Sequence, residues 1–328
     1  MTDDTKRERR AVWSRYWASG ALHSCATSYH DNYAGPIGEF WRSAFATLAP
    51  GDSVLDIATG NGALPRLLLA ERPETSIECD AVDLAQIAPA WLRDAEPTQR
   101  QRVRLHGGVA AESLPFPHDA FSLVVSQYGI EYADLSRAVP EVLRVLSPGG
   151  SIRLVVHHAG SRPVQLAGEE IHHIDWLLSD NGLLALAAAM IPAMARAATP
   201  EGRAALAVDS HANQTRSRFN AMQTAASVRV ASSACPDVLH EVREGIARIF
   251  GMAMAKGVDE AAQALSAMRA QLVDSRLRLN ELRRHALDEK AVQGLCDQLA
   301  EGGARVTRLP LSDAGHVMGW AVCGDPES

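Results

Sequence analysis

The feature that most constrains this chain is an alternation between residues 53 and 158. Five short runs rich in β-branched and apolar residues (53–57, 77–82, 102–106, 121–126 and 151–157) are separated by segments rich in Ala, Leu and Arg. Apolar runs of five to seven residues read as strands, and the intervening patterns read as helices. Their alternation predicts βαβ units and a parallel sheet buried on both faces. The turn Ser147-Pro148-Gly149-Gly150 is expected to separate a helix over 138–146 from the fifth strand. Two further runs, 304–311 and 317–323, joined by Ser312-Asp313-Ala314-Gly315, are expected to close the same sheet.

The predicted architecture is α/β: a Rossmann-like sheet of seven strands, mostly parallel, with helices on both faces. It carries an N-terminal helical cap over residues 1–50 and a large helical insertion before the last two strands. The Rossmann-like domain then comprises residues 51–160 and 287–328, and the insertion residues 161–286. A parallel crossover needs only a dozen or more residues, so of the stretch before residue 304 only a helix near 288–300 is required. Leu239, Val242, Ile246, Ile249 and Phe250 repeat at helical spacing inside the insertion, as do Leu272, Leu279, Leu282 and Ala286. Such faces can line an acceptor pocket, form a lid or bury against a second copy in a homodimer. The cap region holds eight of the seventeen aromatics (Trp13, Tyr16, Trp17, Tyr29, Tyr33, Phe40, Trp41, Phe45), at spacings that lay an aromatic stripe on a sheet or a ligand.

Composition removes several classes. A formal charge of −7 with no basic stretch beyond Lys6–Arg10 lacks the footprint of a nucleic-acid binder. The longest uncharged apolar run, 182–195, is broken by Pro192 and is short for a bilayer, so no membrane span is expected. Five scattered cysteines without a C-x-x-C pair fit a reducing cytoplasm and signal neither disulfides nor zinc. His23-x-Cys25 with His30 has metal-like spacing but lacks a fourth ligand, so no metal is expected.

The chemistry begins where the first strand ends. Asp56, Ala58, Thr59, Gly60, Asn61 and Gly62 form a glycine turn leading into a helix over 64–69, an arrangement that binds nucleotides at a sheet edge. As a dinucleotide fingerprint it is poor, because Pro65 stands at the third glycine position. The carboxylate of Asp56 would repel a pyrophosphate and attract a ligand bearing ammonium and sulfonium charges, which favours S-adenosylmethionine over NAD. Ala58 replaces a glycine, which is tolerable with a negative φ. Asp83 ends the second strand twenty-one residues after Gly62, where an acid meets ribose hydroxyls. It could equally cap a helix starting near Ala85.

Taken together, Asp56-x-Ala58-x-Gly60-x-Gly62, Asp83, Glu112-x-Leu114-Pro115-Phe116 and Leu146-Ser147-Pro148-Gly149-Gly150 resemble class I S-adenosylmethionine-dependent methyltransferases of small molecules. The ubiquinone/menaquinone-biosynthesis group is the most similar. The resemblance covers residues 51–158. It implies that Asp56 and the glycine turn hold the methionine part, that Asp83 and Leu84 frame the ribose, and that Ala110, Ala111 and Glu112 frame the adenine. Ala110 departs from the family's usual Asp or Asn. Ser126 and Gln127, after the fourth strand, fall beside the transferable methyl, with Tyr128 and Tyr132 able to stack on cofactor or acceptor.

For catalysis the candidates are Glu131, His157 and His158, which can orient a donor or accept a proton. Adjacent strand residues face opposite sides, so at most one of the two histidines points into a given pocket. His172 and His173 are further candidates on the first insertion helix. The expected reaction is direct in-line methyl transfer to a small organic acceptor that is aromatic or partly apolar. A nicotinamide-dependent oxidoreductase and a non-catalytic cofactor-binding module remain the alternatives.

Overall fold

The computed structural model describes residues 3–24, 31–73 and 76–326, which form two compact units. The first joins Met1–Val164 to Arg284–Ser328, and the second is Gln165–Arg283.

In chain order the first unit contains α1 (Asp3–Ala18), α2 (Gly35–Ala46), β1 (Ser53–Ile57), α3 (Ala63–Glu71), β2 (Glu78–Asp83), α4 (Ala90–Arg93), α5 (Pro97–Gln101), β3 (Val103–Gly107), β4 (Phe121–Gln127), a 3₁₀ turn (Ile130–Tyr132), α6 (Leu135–Val145) and β5 (Leu146–Val156). The helices α7 (Arg162–Leu178), α8 (Leu183–Arg196), α9 (Pro200–Val208), α10 (Ser210–Ser232), α11 (Asp237–Lys256) and α12 (Val258–His285) follow. The chain then closes with α13 (Glu289–Glu301), β6 (Ala304–Asp313) and β7 (His316–Pro326). The seven strands form one sheet in the order β3-β2-β1-β4-β5-β7-β6, parallel from β3 to β5, with β7 antiparallel to both β5 and β6. The expected Rossmann-like α/β architecture is the observed one.

Side-chain alternation divides the sheet into two faces. Val54, Cys79, Leu123, Val125 and Val155 pack under Trp41 and Phe45 of α2 and Leu64 and Leu68 of α3. Leu55, Ile57, Val124, Ile152 and Leu154 pack under Val139 and Val142 of α6 and Leu295 and Leu299 of α13. Asp288 caps α13 by accepting from Ala291 N, 2.8 Å.

Two local expectations are corrected. Ser147–Gly150 is not a turn outside the strand: β5 starts at Leu146, and a bulge absorbs the extra residues between the pairs Phe121↔Leu146 and Leu123↔Ser151. Gly149, at φ +79, supplies the left-handed conformation that the bulge requires. No helix starts near Ala85. Asp83 instead makes a local turn, its Oδ1 accepting from Ala85 N at 2.7 Å, and the next helix is α4.

In the second unit Leu239, Val242, Ile246 and Ile249 of α11 are buried as their spacing implies, with Ile174, Leu177, Leu183 and Leu184 of α7 and α8. The stretch Arg162–Arg196 is apolar enough for a bilayer by mean hydropathy. It is divided into α7 and α8 between 178 and 183, and it supplies Ile174, Leu177, Leu183, Leu184, Ala187 and Ile191 to this core.

The strand order reverses between β1 and β4, which opens a crevice beyond their carboxyl ends. Ser126, fully buried on β4, fastens the two strands there: its Oγ donates to Ile57 O (2.8 Å) and accepts from Ile130 N (3.0 Å). Ser126→Ala leaves both backbone groups buried and unmatched. It should lower unfolding free energy by about 1–3 kcal/mol in urea titration, and an unchanged midpoint would refute the clamp.

Candidate active site

Both strands flanking the crevice run into a non-glycine residue at positive φ, Ala58 at +56 after β1 and Tyr128 at +53 after β4. Left-handed backbone costs an L-residue roughly 1–2 kcal/mol, and such strain concentrates at functional sites. The expectation of a negative φ at Ala58 is therefore corrected. Gly129 faces it so closely that a methyl on Gly129 would stand 2.4 Å from Ala58 Cβ.

Across the rim, four adjacent strands present polar side chains on one face: Asp83 at the end of β2, Asp56 on β1, Gln127 on β4 and His157 just after β5. All four are buried. Asp83 takes Gly60 N on Oδ2 at 2.8 Å, which ties the glycine turn to the neighbouring strand. Gln127 Oε1 accepts from Trp41 Nε1, and its Nε2 has no partner. Neither oxygen of Asp56 is hydrogen-bonded, nor are Thr59 Oγ1 and Asn61 Oδ1 in the turn above. Desolvation pushes the Asp56 carboxyl up to about 8, opposed in part by the nearby Thr59 hydroxyl and reinforced by the charge of Asp83. Asp83 is raised to about 6 by burial, against the two backbone N–H groups that favour its charged form.

A cleft of about 860 Å³, counting its open mouth, runs along this rim and is roofed by α1. Its floor includes Ala58, Asp83, Leu84, Ala110, Ala111, Glu112, Tyr128 and Tyr132, and its roof Lys6, Arg9, Arg10, Trp13 and Trp17. The glycine turn is closely covered: a methyl on Gly60 would stand 2.5 Å from Cζ2 of Trp17, and one on Gly62 2.9 Å from Cζ2 of Trp91. Asn61 anchors that cover, its Nδ2 donating to Trp17 O (2.8 Å) and Ala21 O (2.7 Å), while its own carbonyl accepts from Trp91 Nε1 (2.7 Å). Arg9, 5 % exposed, holds the middle of α1 through Tyr132 O (2.8 Å) and His285 Nε2 (2.9 Å).

The catalytic candidates separate. Glu131 Oε1 accepts from both the backbone N (3.0 Å) and Nδ1 (2.7 Å) of His157. With Nδ1 donating, the tautomer leaves a lone pair on Nε2, which is buried and has no partner, as is Glu131 Oε2. The His157 ring stacks on Tyr128, centroids 4.2 Å apart. His158 turns to the opposite face and stacks on Trp320 at 4.4 Å, its Nδ1 accepting from Gly160 N. Of the cofactor candidates, Ala58, Asp83, Leu84, Ala110, Ala111 and Glu112 line the cleft. Asp56, Thr59, Asn61 and Gln127 stand buried at the rim with unmatched atoms. Gly60 and Gly62 lie under the two indoles, and Ser126 is the strand clamp. Glu112 Oε1 accepts from Asp134 N (3.1 Å). His173 belongs to the second unit, where Nε2 meets Ser233 Oγ at 2.9 Å. Cys25, Tyr29 and His30 lie outside the described residues.

Sequence reasoning missed Arg9, Arg10, Trp91 and His285. Their roles follow from where α1, α4 and the end of α12 dock, and no local spacing announces that.

A model of a methyltransferase domain matches residues 54–150. The methyltransferase YcgJ of Bacillus subtilis, described as uncharacterized, is 36 % identical over 129 residues, 38 % of this chain and 47 % of that protein. The ubiquinone/menaquinone biosynthesis C-methyltransferase UbiE of Cupriavidus metallidurans is 29 % identical over 160 residues, 45 % of this chain and 63 % of its own. The chain thus spans roughly half to three-fifths of these relatives. Among solved structures, YcgJ aligns with a TM-score of 0.31 at 32 % identity, over 43 % of this chain and 58 % of that one. Geranyl diphosphate C-methyltransferase of Streptomyces coelicolor aligns with 0.36 at 18 %, over 46 % and 64 %.

Because the native state keeps a proton on Asp56 that the unfolded chain releases near pH 3.8, this residue lowers stability progressively as pH rises from there to about 8. Asp56→Asn is neutral throughout and should melt higher than the parent, by more at pH 8 than at pH 5. Equal differences at the two pH values would show that burial does not hold the proton.

Proposed function

We propose that this chain, whose residues 54–150 match a methyltransferase domain, is a class I S-adenosylmethionine-dependent methyltransferase that binds its donor in the cleft beneath α1. There it transfers the methyl group in line to a small organic acceptor in the cytoplasm. The observation that carries this reading is the cleft that brings Ala58, Asp83 and Ala110–Glu112 together at the carboxyl edge of the sheet, with unmatched polar atoms on Asp56, Thr59, Asn61, Gln127 and His157 buried at the same edge. Native interiors match nearly all such atoms, so a group of them at a sheet edge fits a ligand that completes their bonds.

The residues present suit the proposed cofactor. Asp83 has lone pairs beyond those used by Gly60 and Ala85, enough for two ribose hydroxyls. Val109, Ala110 and Ala111 give the base a flat apolar wall, on which Ala110 offers no side-chain acceptor, so backbone groups and Glu112 hold the base edge. Asp56, Thr59 and Asn61 take the amino-acid end. When bound, S-adenosylmethionine supplies an electrophilic methyl whose sulfur departs with the bonding pair.

The protein's own contribution is alignment and exclusion of water. Positioning of two reactants is worth about 7–11 kcal/mol in favourable cases, and the indoles of Trp17 and Trp91 keep solvent from the turn. His157, oriented by Glu131, accepts the acceptor's proton on Nε2. The aromatic walls Trp13, Trp17, Tyr128 and Tyr132 favour an acceptor that is aromatic or partly apolar.

Calorimetry should detect binding of both S-adenosylmethionine and S-adenosylhomocysteine, weakened by about tenfold or more in Asp83→Ala. Binding of NAD in their place would sink the assignment. Once an acceptor is found by transfer of labelled methyl, His157→Gln should lower kcat about 100-fold while leaving KM for the donor unchanged; an unaltered kcat would remove His157 from the reaction.

A further inference from the structure

Aromatic rings line both the roof and the floor of the cleft beside the glycine turn. Trp17 lies on Gly60, in the middle of the glycine turn, and its carbonyl is held by Asn61 of the same turn. Trp13 stacks on it with centroids 5.6 Å apart and planes inclined by 25°. Tyr132 meets Trp13 edge-on at 6.1 Å, and Tyr128 stands at the end of β4 on the other side of the crevice. All four rings line the cleft. The position of Trp17 is fixed by Asn61 at the carboxyl end of α1 and by Arg9 at its middle.

We infer that Trp13, Trp17, Tyr128 and Tyr132 form an aromatic cage for the sulfonium cation, and that this cage, more than the acidic residues below it, sets the preference for charged donor over neutral demethylated product. The inference rests on the cofactor assigned above and concerns how this chain tells the two forms apart. A ring face attracts a cation through its quadrupole and loses little hydration in doing so, unlike a carboxylate. The alternative source of attraction is weak here, because burial keeps Asp56 mostly protonated near neutral pH. An ionised Asp56 would draw donor and product alike through the ammonium group that both carry, whereas only the donor has a charged sulfur. Donor and product differ only in the methyl group and the charge it confers on sulfur, so the ratio of their affinities isolates this contact.

Affinities of the full chain for S-adenosylmethionine and S-adenosylhomocysteine, measured by calorimetry at pH 7, give a ratio that reports the charge preference. Trp17→Leu removes the ring and keeps an apolar side chain. The ratio should fall about fivefold or more, chiefly through loss of donor affinity. A second measurement keeps the fold intact: replacing tryptophan throughout by a multiply fluorinated analogue drains the ring face of negative potential with little change of shape, and should lower the ratio in the same direction. A ratio that stays within fivefold in Trp17→Leu and is unmoved by fluorination overturns the cage while leaving the cofactor assignment standing. Absence of binding of either compound to the unaltered chain overturns that assignment instead.

Discussion

Burial of Asp56 without a hydrogen-bond partner, near the end of β1, is the constraint around which the site is organised. A carboxyl group in that position stays neutral or finds a countercharge. It sits at the last residue pair joining β1 to β4, where the strand order reverses. The neighbouring positions repeat the theme. Gln127 and His157 each make one internal bond and leave a second atom unmatched, and Asp83 spends one lone pair on each of two backbone donors. The strands make the floor rigid, and the strained residues Ala58 and Tyr128 turn the chain sharply away from it.

What closes this floor is a helix with little hydrophobic reason of its own to be there. Among the described side chains of α1 only Val12 and Arg9 are buried. Its attachment is polar and local, by Asn61 to the carbonyl of Trp17, by Ser14 Oγ to Gln86 N and by Arg9 to Tyr132 and His285. Its Trp17 covers the glycine turn at Gly60, as Trp91 of α4 does at Gly62, so close indole cover explains the lack of side chains at both glycines. The two readings of the N-terminal aromatic stripe, packing on the sheet and lining a pocket, divide between helices: Trp41 and Phe45 of α2 enter the core, whereas Trp13 and Trp17 of α1 enter the cleft.

Legibility of the site followed the range of the interactions involved. Asp83 after the second strand could be placed because strand, turn and acid are separated by a fixed length of chain in this architecture. The opposite orientations of His157 and His158 followed from strand alternation alone. The left-handed backbone at Ala58 was not legible, since alanine ordinarily avoids it and only the turn's closure by Thr59 N on Val82 O and Gly62 N on Thr59 O selects it. The Ser147–Gly150 segment misled for the converse reason: its composition favours a turn, but pairing with β4 carries the strand through it as a bulge.

The amino-acid order by itself determined the alternating elements, the face each strand residue takes, and the acids and glycines at the carboxyl edge, because periodicity and short loops act over a few residues. Only the tertiary structure decided the pairing of Glu131 with His157, the docking of α1 through Arg9 and Asn61, and which polar atoms end without a partner. Those outcomes join residues 26 to more than 200 positions apart, and they depend on burial, a property of the packed whole that no local pattern contains.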